Sequence, residues 1–503
     1  MSLFSTPLES LSLRQLLAGA DFGGTEDIRV QSCSADSRTC RPGDLFVALD
    51  SPHGETPGFV HEAVARGACG VVSQQRFQVS VPVCLVSNAR EALGQICQAL
   101  AGDPSRRLRL IGITGTNGKT TTTHLIASML QAAGHRTGLL GTLGYHDTAE
   151  SAPADLTTPD AVALAEWLGR MVANNCSHAV MEVSSHALAQ RRIAGVEFAR
   201  VGLTNLRRDH LDFHGTLAAY HHAKTQLFNY LSSGGVAVIN VDDPPSVENV
   251  PLIPGGVLTI GMHRPADVSA TLVERCKSEQ TFLLTAGDHT VPVRTAMIGD
   301  HHIYNCLLAA AIGLSEGLEL TAIVRGLEAV THVPGRLERI ECGQPFGVYI
   351  DFAHTPDALA VSLATLREVT PGRILCVFGA GGNRDTKKRP LMGRTVETGA
   401  DVAIITNDNP RFEDPQTIAS EILAGFERPA LARWMPDRAE AIQYALSLAG
   451  PDDCVLVAGK GHEVHQIVGH HRIPLDDRDL ARRYLYNLEP ASPYGSLMTV
   501  ANS

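Results

Sequence analysis

The stretch GITGTNGKTTT at 112–122 has the residue types that hold a polyphosphate. Gly115, Thr116, Asn117 and Gly118 would turn backbone N–H groups toward phosphate oxygens, and a helix opening behind them would add the positive end of its dipole. Lys119 would reach the outer phosphates, while the hydroxyl of Thr120 or Thr121 would complete the shell of a magnesium ion. The usual spacing places glycine six residues before the lysine, where this chain has Ile113 between Gly112 and Gly115.

Two later segments are dense in groups that take up protons or metals. MEVSSHAL supplies Glu182, Ser184 and His186, and TNLRRDHLDFHG supplies Asn205, Asp209, His210, Asp212 and His214. By themselves His210 and His214 read as zinc ligands or as a polar loop; beside a phosphate loop they favour magnesium. YHHAKTQLF carries Lys224 on a helical pattern, where composition alone describes a solvated lysine. In TNDNPRFEDP, Asp408, Asn409 and Arg411 follow an apolar run, with Pro410 fixing the turn. The arginine fork there matches a carboxylate in bidentate fashion. GAGGNR at 379–384 fails the dinucleotide pattern GxGxxG at Arg384, so NAD is not expected.

The elements that must position these residues are legible as apolar runs. LRLIGI leads into the phosphate loop, and TTTHLIASMLQAAG follows as a helix with Leu125/Met129 and Ile126/Leu130 at i,i+4. HAVMEV, RVGLTNL and GVAVIN are read as strands of the same buried parallel sheet, and FGVYID, RILCVFG, DVAIITN and CVLVAG as a second, doubly wound one. DLFVAL, GVVS and VCLV, with the helix AREALGQICQALAG, describe a smaller α/β unit before them. At 503 residues three domains are expected. Polar DPSRRLR and the Pro-Gly of THVPGRLE set them at 1–105, 106–333 and 334–503. The tail after Glu489 reads as weakly ordered. A net charge of −11 argues against nucleic acid or membrane surfaces as partners, and 11 scattered cysteines without a CxxC pair argue for reduced thiols. With no export signal and no long apolar run, the expected location is the cytoplasm.

TGTNGKTTT, EVSSHAL, TNLRRDHLDFHGT, YHHAK, PGRLE, DFAHTPDAL, GAGGNRD, KRPLMG, NDNPRFEDP and GKGHE occur in this order, and the ordered set resembles the Mur ligases, in particular the members that add meso-2,6-diaminopimelate. The resemblance implies an ATP- and Mg2+-dependent, monomeric ligase of peptidoglycan precursor synthesis, acting on UDP-N-acetylmuramoyl-L-alanyl-D-glutamate. It implies that Gly115 to Thr121, Asn305, Arg336 and Asp351 contact ATP. Thr120, Glu182, His210 and Lys224 would hold the metal, Lys224 as a carbamate, and Lys119, Lys224, Glu182 and His210 would carry catalysis. Ser37, Thr157, Thr158, Ser184, Gln190 and Arg192 would meet the UDP-linked substrate; Arg389, Asp408, Asn409, Pro410, Arg411, Gly459 and Glu463 would meet the amino acid. Two places depart from the family pattern. The loop SPHGETPGF lacks the Asp-Gly pair expected near Pro52, His53 and Gly54 of the uridine pocket, and Arg207 replaces a common serine.

Overall fold

A computed structural model describes residues 10–51 and 54–487, so Pro52, His53 and the tail after Glu489 lie outside the described residues. Three main sheets follow one another along the chain. The first has four parallel strands, Cys33–Ser34, Leu45–Val47, Gly70–Ser73 and Val83–Leu85. Its helix Ala89–Leu100, capped by Asn88, packs on Ala161–Ala173 of the next unit. The approach is so close that a Cβ on Gly94 would stand 2.7 Å from the Ala194 carbonyl.

The second sheet has eleven strands. At its centre the strand Arg109–Thr114 lies between His178–Glu182 and Phe198–Leu203, all parallel. Those three strands are the expected LRLIGI, HAVMEV and RVGLTNL. Alternation divides their side chains: Ile111 and Ile113 pack on the helices Lys119–Ala132 and Asp300–Ser315, while Leu110 packs with Leu164 and Leu168 on the opposite face. Because parallel strands end together, the loops after Thr114, Glu182 and Leu203 open on one edge. The antiparallel strands Val268–Arg275, Gln280–Ala286 and His289–Thr295 extend the sheet beyond what the apolar runs suggested.

The third sheet places Cys454–Ala458 between Gly347–Asp351 and Ile374–Phe378, followed by Val402–Ile405 and Ala432–Trp434, with the short antiparallel Glu338–Arg339 at its edge. Ile374, Cys376 and Phe378 face helices Pro356–Val369 and Lys388–Gly399; Leu375 and Val377 face Arg438–Leu448. Helices on both faces make this the doubly wound sheet expected from its continuous apolar strands. A hairpin, His465–Val468 with His471–Pro474, stands beside it.

Candidate active site

The edges of the second and third sheets close around one cavity of about 920 Å³. Its lining brings together the phosphate loop, Glu182, Ser184, His210, Asn305, Arg336, Asp351, Asp408, Asn409, Arg411, Gly459 and Glu463. Residues separated by more than 340 positions thus share one space, most of them carried by loops that follow parallel strands.

The phosphate loop is held from behind. Gly115 has φ +140°, and a Cβ there would lie 1.8 Å from Thr204 Oγ1, so only glycine fits. Asn205 accepts Thr116 N–H on its carbonyl at 2.9 Å and Asn117 N–H on its side-chain oxygen at 3.1 Å. Lys119 Nζ donates to the carbonyls of Gly115 (2.9 Å) and Thr116 (3.0 Å), curling back over its own loop. Burial lowers its pKa, as does Arg336 nearby, against the pull of Glu182.

Glu182 is fully buried at the end of its strand. It accepts Thr142 N–H on Oε1 at 2.7 Å, and the hydroxyls of Thr120 and Thr142 on Oε2 at 3.0 and 3.1 Å. Arg336, from beyond the Pro-Gly break, donates to Thr120 Oγ1 at 2.9 Å and lies over the Phe352 ring. Asn305 contacts the helix behind the loop, accepting from Thr122 Oγ1 at 3.3 Å. Asp351 accepts from Leu337 N–H and from Ser362 Oγ.

Lys224 is not the solvated residue its composition describes. It is buried on the helix Leu217–Thr225, with Nζ donating 2.7 Å to the Gly115 carbonyl and lying over Tyr220. Burial first, and Lys119 second, push its amine well below the usual lysine range. His210, in the left-handed conformation at φ +51°, is kept neutral by burial, and it adjoins His186 and Asp209. Burial alone would raise the Asp209 pKa; His354, His210 and Lys388 hold it below the usual carboxylate range.

The donor chemistry suits magnesium. Thr120 and Glu182 offer hard oxygens at the start of the loop helix, with neutral His210 lining the same cavity. Among the described residues no three His, Cys, Asp or Glu side chains form a metal site on their own.

Thr157, Thr158 and Ser184 form a ledge beside Glu182: Thr158 Oγ1 donates to the Glu182 carbonyl at 2.9 Å and accepts Ser184 N–H at 2.9 Å, while Thr157 accepts from Thr142. Arg192 binds Gln190 and the Thr158 carbonyl. Ser37 stands apart in the first unit, donating to Glu62.

At the far wall Arg411 donates to the Gly382 carbonyl at 2.8 Å, and Asn409 to Glu463 at 2.7 Å. Pro410, in the turn between them, is buried outside the cavity lining. Arg389 also lies behind this wall, with no solvent exposure, paired to Glu413 (2.8 Å) and Glu421 (2.7 Å). The arginine that faces the cavity from that segment is Arg384, five residues earlier, where the sequence showed only a failed glycine pattern. Lys460 was likewise missed: a lysine in a glycine loop gives no sign of being buried. Both would have needed the loop's path.

Two family models match, the Mur ligase middle domain over residues 113–313 and the Mur ligase glutamate ligase domain over 335–461. A relative from Geobacillus kaustophilus, named UDP-N-acetylmuramoyl-L-alanyl-D-glutamate--2,6-diaminopimelate ligase, is 41% identical over 92% of this chain and 95% of its own. One of the same name from Gloeobacter violaceus is 40% identical over 95% and 99%. A solved structure of that ligase superposes with a TM-score of 0.68 at 31% identity, covering 95% of this chain and 99% of its own. MurF from Acinetobacter baumannii, at 21% identity and TM-score 0.63, shares the fold. With phosphate loop, buried carboxylate and arginine wall on one cavity, and with relatives matched along almost their whole length, the chain belongs to the Mur ligase family.

Proposed function

We propose that this chain is an ATP-dependent, ADP-forming ligase that joins meso-2,6-diaminopimelate to the D-glutamate γ-carboxylate of UDP-N-acetylmuramoyl-L-alanyl-D-glutamate, a step of peptidoglycan precursor synthesis. The observation that carries the reading is the shared cavity, with a phosphate loop on one wall and Arg411, Arg384 and Glu463 on the other. A reaction needing a phosphoryl donor and an amino acid needs both walls. The names of relatives about 40% identical over most of the chain support the choice of substrates.

The γ-carboxylate attacks the ATP γ-phosphate, giving an acyl phosphate and ADP; Lys119, the loop N–H groups and Arg336 stabilise the charge that spreads over the phosphoryl oxygens. Thr120, Glu182 and His210 would hold Mg2+, which when bound neutralises phosphate charge. Lys224, as the neutral amine its burial favours, can take up CO2 to become a carbamate, releasing one proton and placing an anion where an ammonium would repel a metal. Asn305 and Asp351 flank the nucleotide. Thr157, Thr158, Ser184, Gln190 and Arg192 orient the muramoyl peptide, and Ser37 meets its uridine end. Arg411 and Arg384 face the two carboxylates of diaminopimelate, with Asp408, Asn409 and Glu463 beside its ammonium groups. Its amine attacks the acyl carbonyl, and the tetrahedral intermediate expels phosphate as the amide forms. The three units function as a monomer, in the cytoplasm.

The test is product mass analysis with the UDP-linked dipeptide, ATP and diaminopimelate. The expected product gains one diaminopimelate residue, and phosphate release requires both the carboxylate and the amine. Lysine, lacking the second carboxylate, should be used ~10³-fold less well or worse. Phosphate release independent of both substrates would instead describe a nucleotide-hydrolysing switch.

A further inference from the structure

We infer that Lys460 is a positioning residue for the amino-acid pocket, holding the Asn409 amide and the Glu463 carboxylate in one orientation and favouring an amino-acid end that bears a carboxylate over one that is only a cation. The inference rests on the ligase reading above and adds a residue that this reading does not use.

Lys460 has no solvent exposure. A buried ammonium is tolerated only where its protons are matched, and here the three acceptors are Asn409 Oδ1 at 3.1 Å, Glu463 Oε2 at 2.9 Å and the His465 carbonyl at 2.6 Å. With three protons engaged, none remains for a ligand. Lys460 therefore acts through its partners.

Those partners are the pocket. Asn409 Oδ1 also accepts Ile467 N–H at 2.9 Å, so its amide cannot turn over, and its Nδ2 must face Glu463 Oε2, 2.7 Å away. Glu463 Oε2 thus receives two donors, leaving Oε1 as the oxygen available to the cavity that Glu463 lines. The bond to His465 fixes the start of the hairpin, whose Ile467 carbonyl accepts Arg411 N–H at 3.0 Å while Gly469 N–H donates to the Arg411 carbonyl at 2.6 Å. That pairing holds Arg411 in its left-handed conformation, φ +55°. One ammonium thus links the Asn-Pro-Arg turn, the Gly-Lys-Gly loop and the hairpin.

Its charge matters as well as its geometry. Without Lys460 the carboxylates of Glu463 and Asp408 would face the cavity with one positive charge fewer behind them. That shift attracts a bare side-chain ammonium, as in lysine, and disfavours an end carrying a carboxylate.

The experiment is steady-state kinetics of the full chain for diaminopimelate and lysine in wild type, K460M, E463Q and K460M/E463Q. K460M should raise KM for diaminopimelate about 10- to 100-fold, as expected when Asn409 and Glu463 lose their fixed orientation toward it, with KM for ATP and the UDP-peptide within about threefold of wild type. The diaminopimelate-over-lysine ratio in kcat/KM should shrink by about tenfold, and in the E463Q background K460M should add about threefold or less. An unchanged ratio, or equal rises in all three KM values alongside a lower Tm, would mean a merely structural lysine and overturn the inference. If K460M does not fold, K460Q compared in the wild-type and E463Q backgrounds carries the same test: equal costs in both overturn it. Failure of wild type to ligate diaminopimelate would remove the ligase reading itself, whatever the variants do.

Discussion

Lys119 and Lys224 end on the same oxygen, the Gly115 carbonyl, at 2.9 and 2.7 Å, yet they enter from different elements and have different parts to play. Lys119 heads the loop helix, half-buried, with its bonds confined to its own loop. Replacing it should leave the fold intact. Lys119→Ala is expected to lower phosphate release by about 10²- to 10³-fold or more while shifting Tm little, checked by phosphate assay and thermal melting; near-normal ligation by the folded variant would remove the loop from the chemistry. Lys224 is enclosed, so the neutral amine, the form that takes up CO2, suits its surroundings better than an ammonium. Lys224→Ala should be nearly inactive and regain part of its activity when a short-chain carboxylic acid is added. Full activity without the additive would show that no anion is needed there.

Elements bring these side chains together through the sheet, and the sheet's far edge is held by a buried charge. Glu316, after the helix Asp300–Ser315, pairs with Arg109 and with Arg200 (2.9 Å), and lies 3.4 Å from His178, joining the first residues of two central strands. Burial alone would raise its pKa; the hydrogen bonds from His178 and Arg109 and the charges of Arg200 and Arg109 outweigh that and bring it to about 2. A carboxyl depressed on folding binds protons more readily when unfolded, so its stabilisation is present above the unfolded value near 4.5 and is lost as pH falls toward 2. The shift corresponds to roughly 3 kcal/mol. Glu316→Gln should therefore lower Tm at pH 7, and the gap to wild type should close as melts are run from pH 4.5 down to about 2. A gap independent of pH would show that packing, not charge, is what the variant loses.

At the scale of the whole molecule, the second and third units meet at the cavity through Arg336 on Thr120, and elsewhere through Tyr349 Oη on the Lys277 carbonyl at 2.6 Å and Arg208 with Asp385 at 3.6 Å. These contacts accompany a cavity in which the wall carrying Arg411 and Glu463 faces the loop that carries Lys119. Gly335 is the tight point. Its φ is +65°, and a Cβ would stand 2.1 Å from His462 N, so Gly335→Ala must push the Pro-Gly turn away from the Gly-Lys-Gly-His loop. Arg336 would move with it. The expected result is a drop in kcat of about 10²-fold with ATP binding to the central unit retained, because only the approach of the two walls is disturbed. Calorimetric titration with a non-hydrolysable ATP analogue separates the two effects; loss of both would place Gly335 in the nucleotide pocket itself.

The sequence by itself determined the strands, because buried parallel strands are continuous apolar runs and need no partner to be recognised. HAVMEV and CVLVAG became His178–Glu182 and Cys454–Ala458 with hardly a residue's change. It also determined the strand, glycine loop and helix around Lys119, whose glycines and lysine are adjacent in the chain, and the order of motifs that marks the family. Only the tertiary structure decided the environments. Lys224 is buried because Tyr220 and the Gly115 carbonyl enclose it, which no spacing on its own helix could reveal. The helix Lys388–Gly399 turns Arg389 inward to Glu413 and Glu421, while the loop before it presents Arg384 to the cavity, although both are arginines of one short segment. The antiparallel strands after Gly261 escaped notice because their alternating faces are weakly apolar, with Leu272, Val273 and Leu283 exposed. Pattern along a chain reports whether an element has an apolar face, whereas burial, charge and reach depend on residues hundreds of positions away.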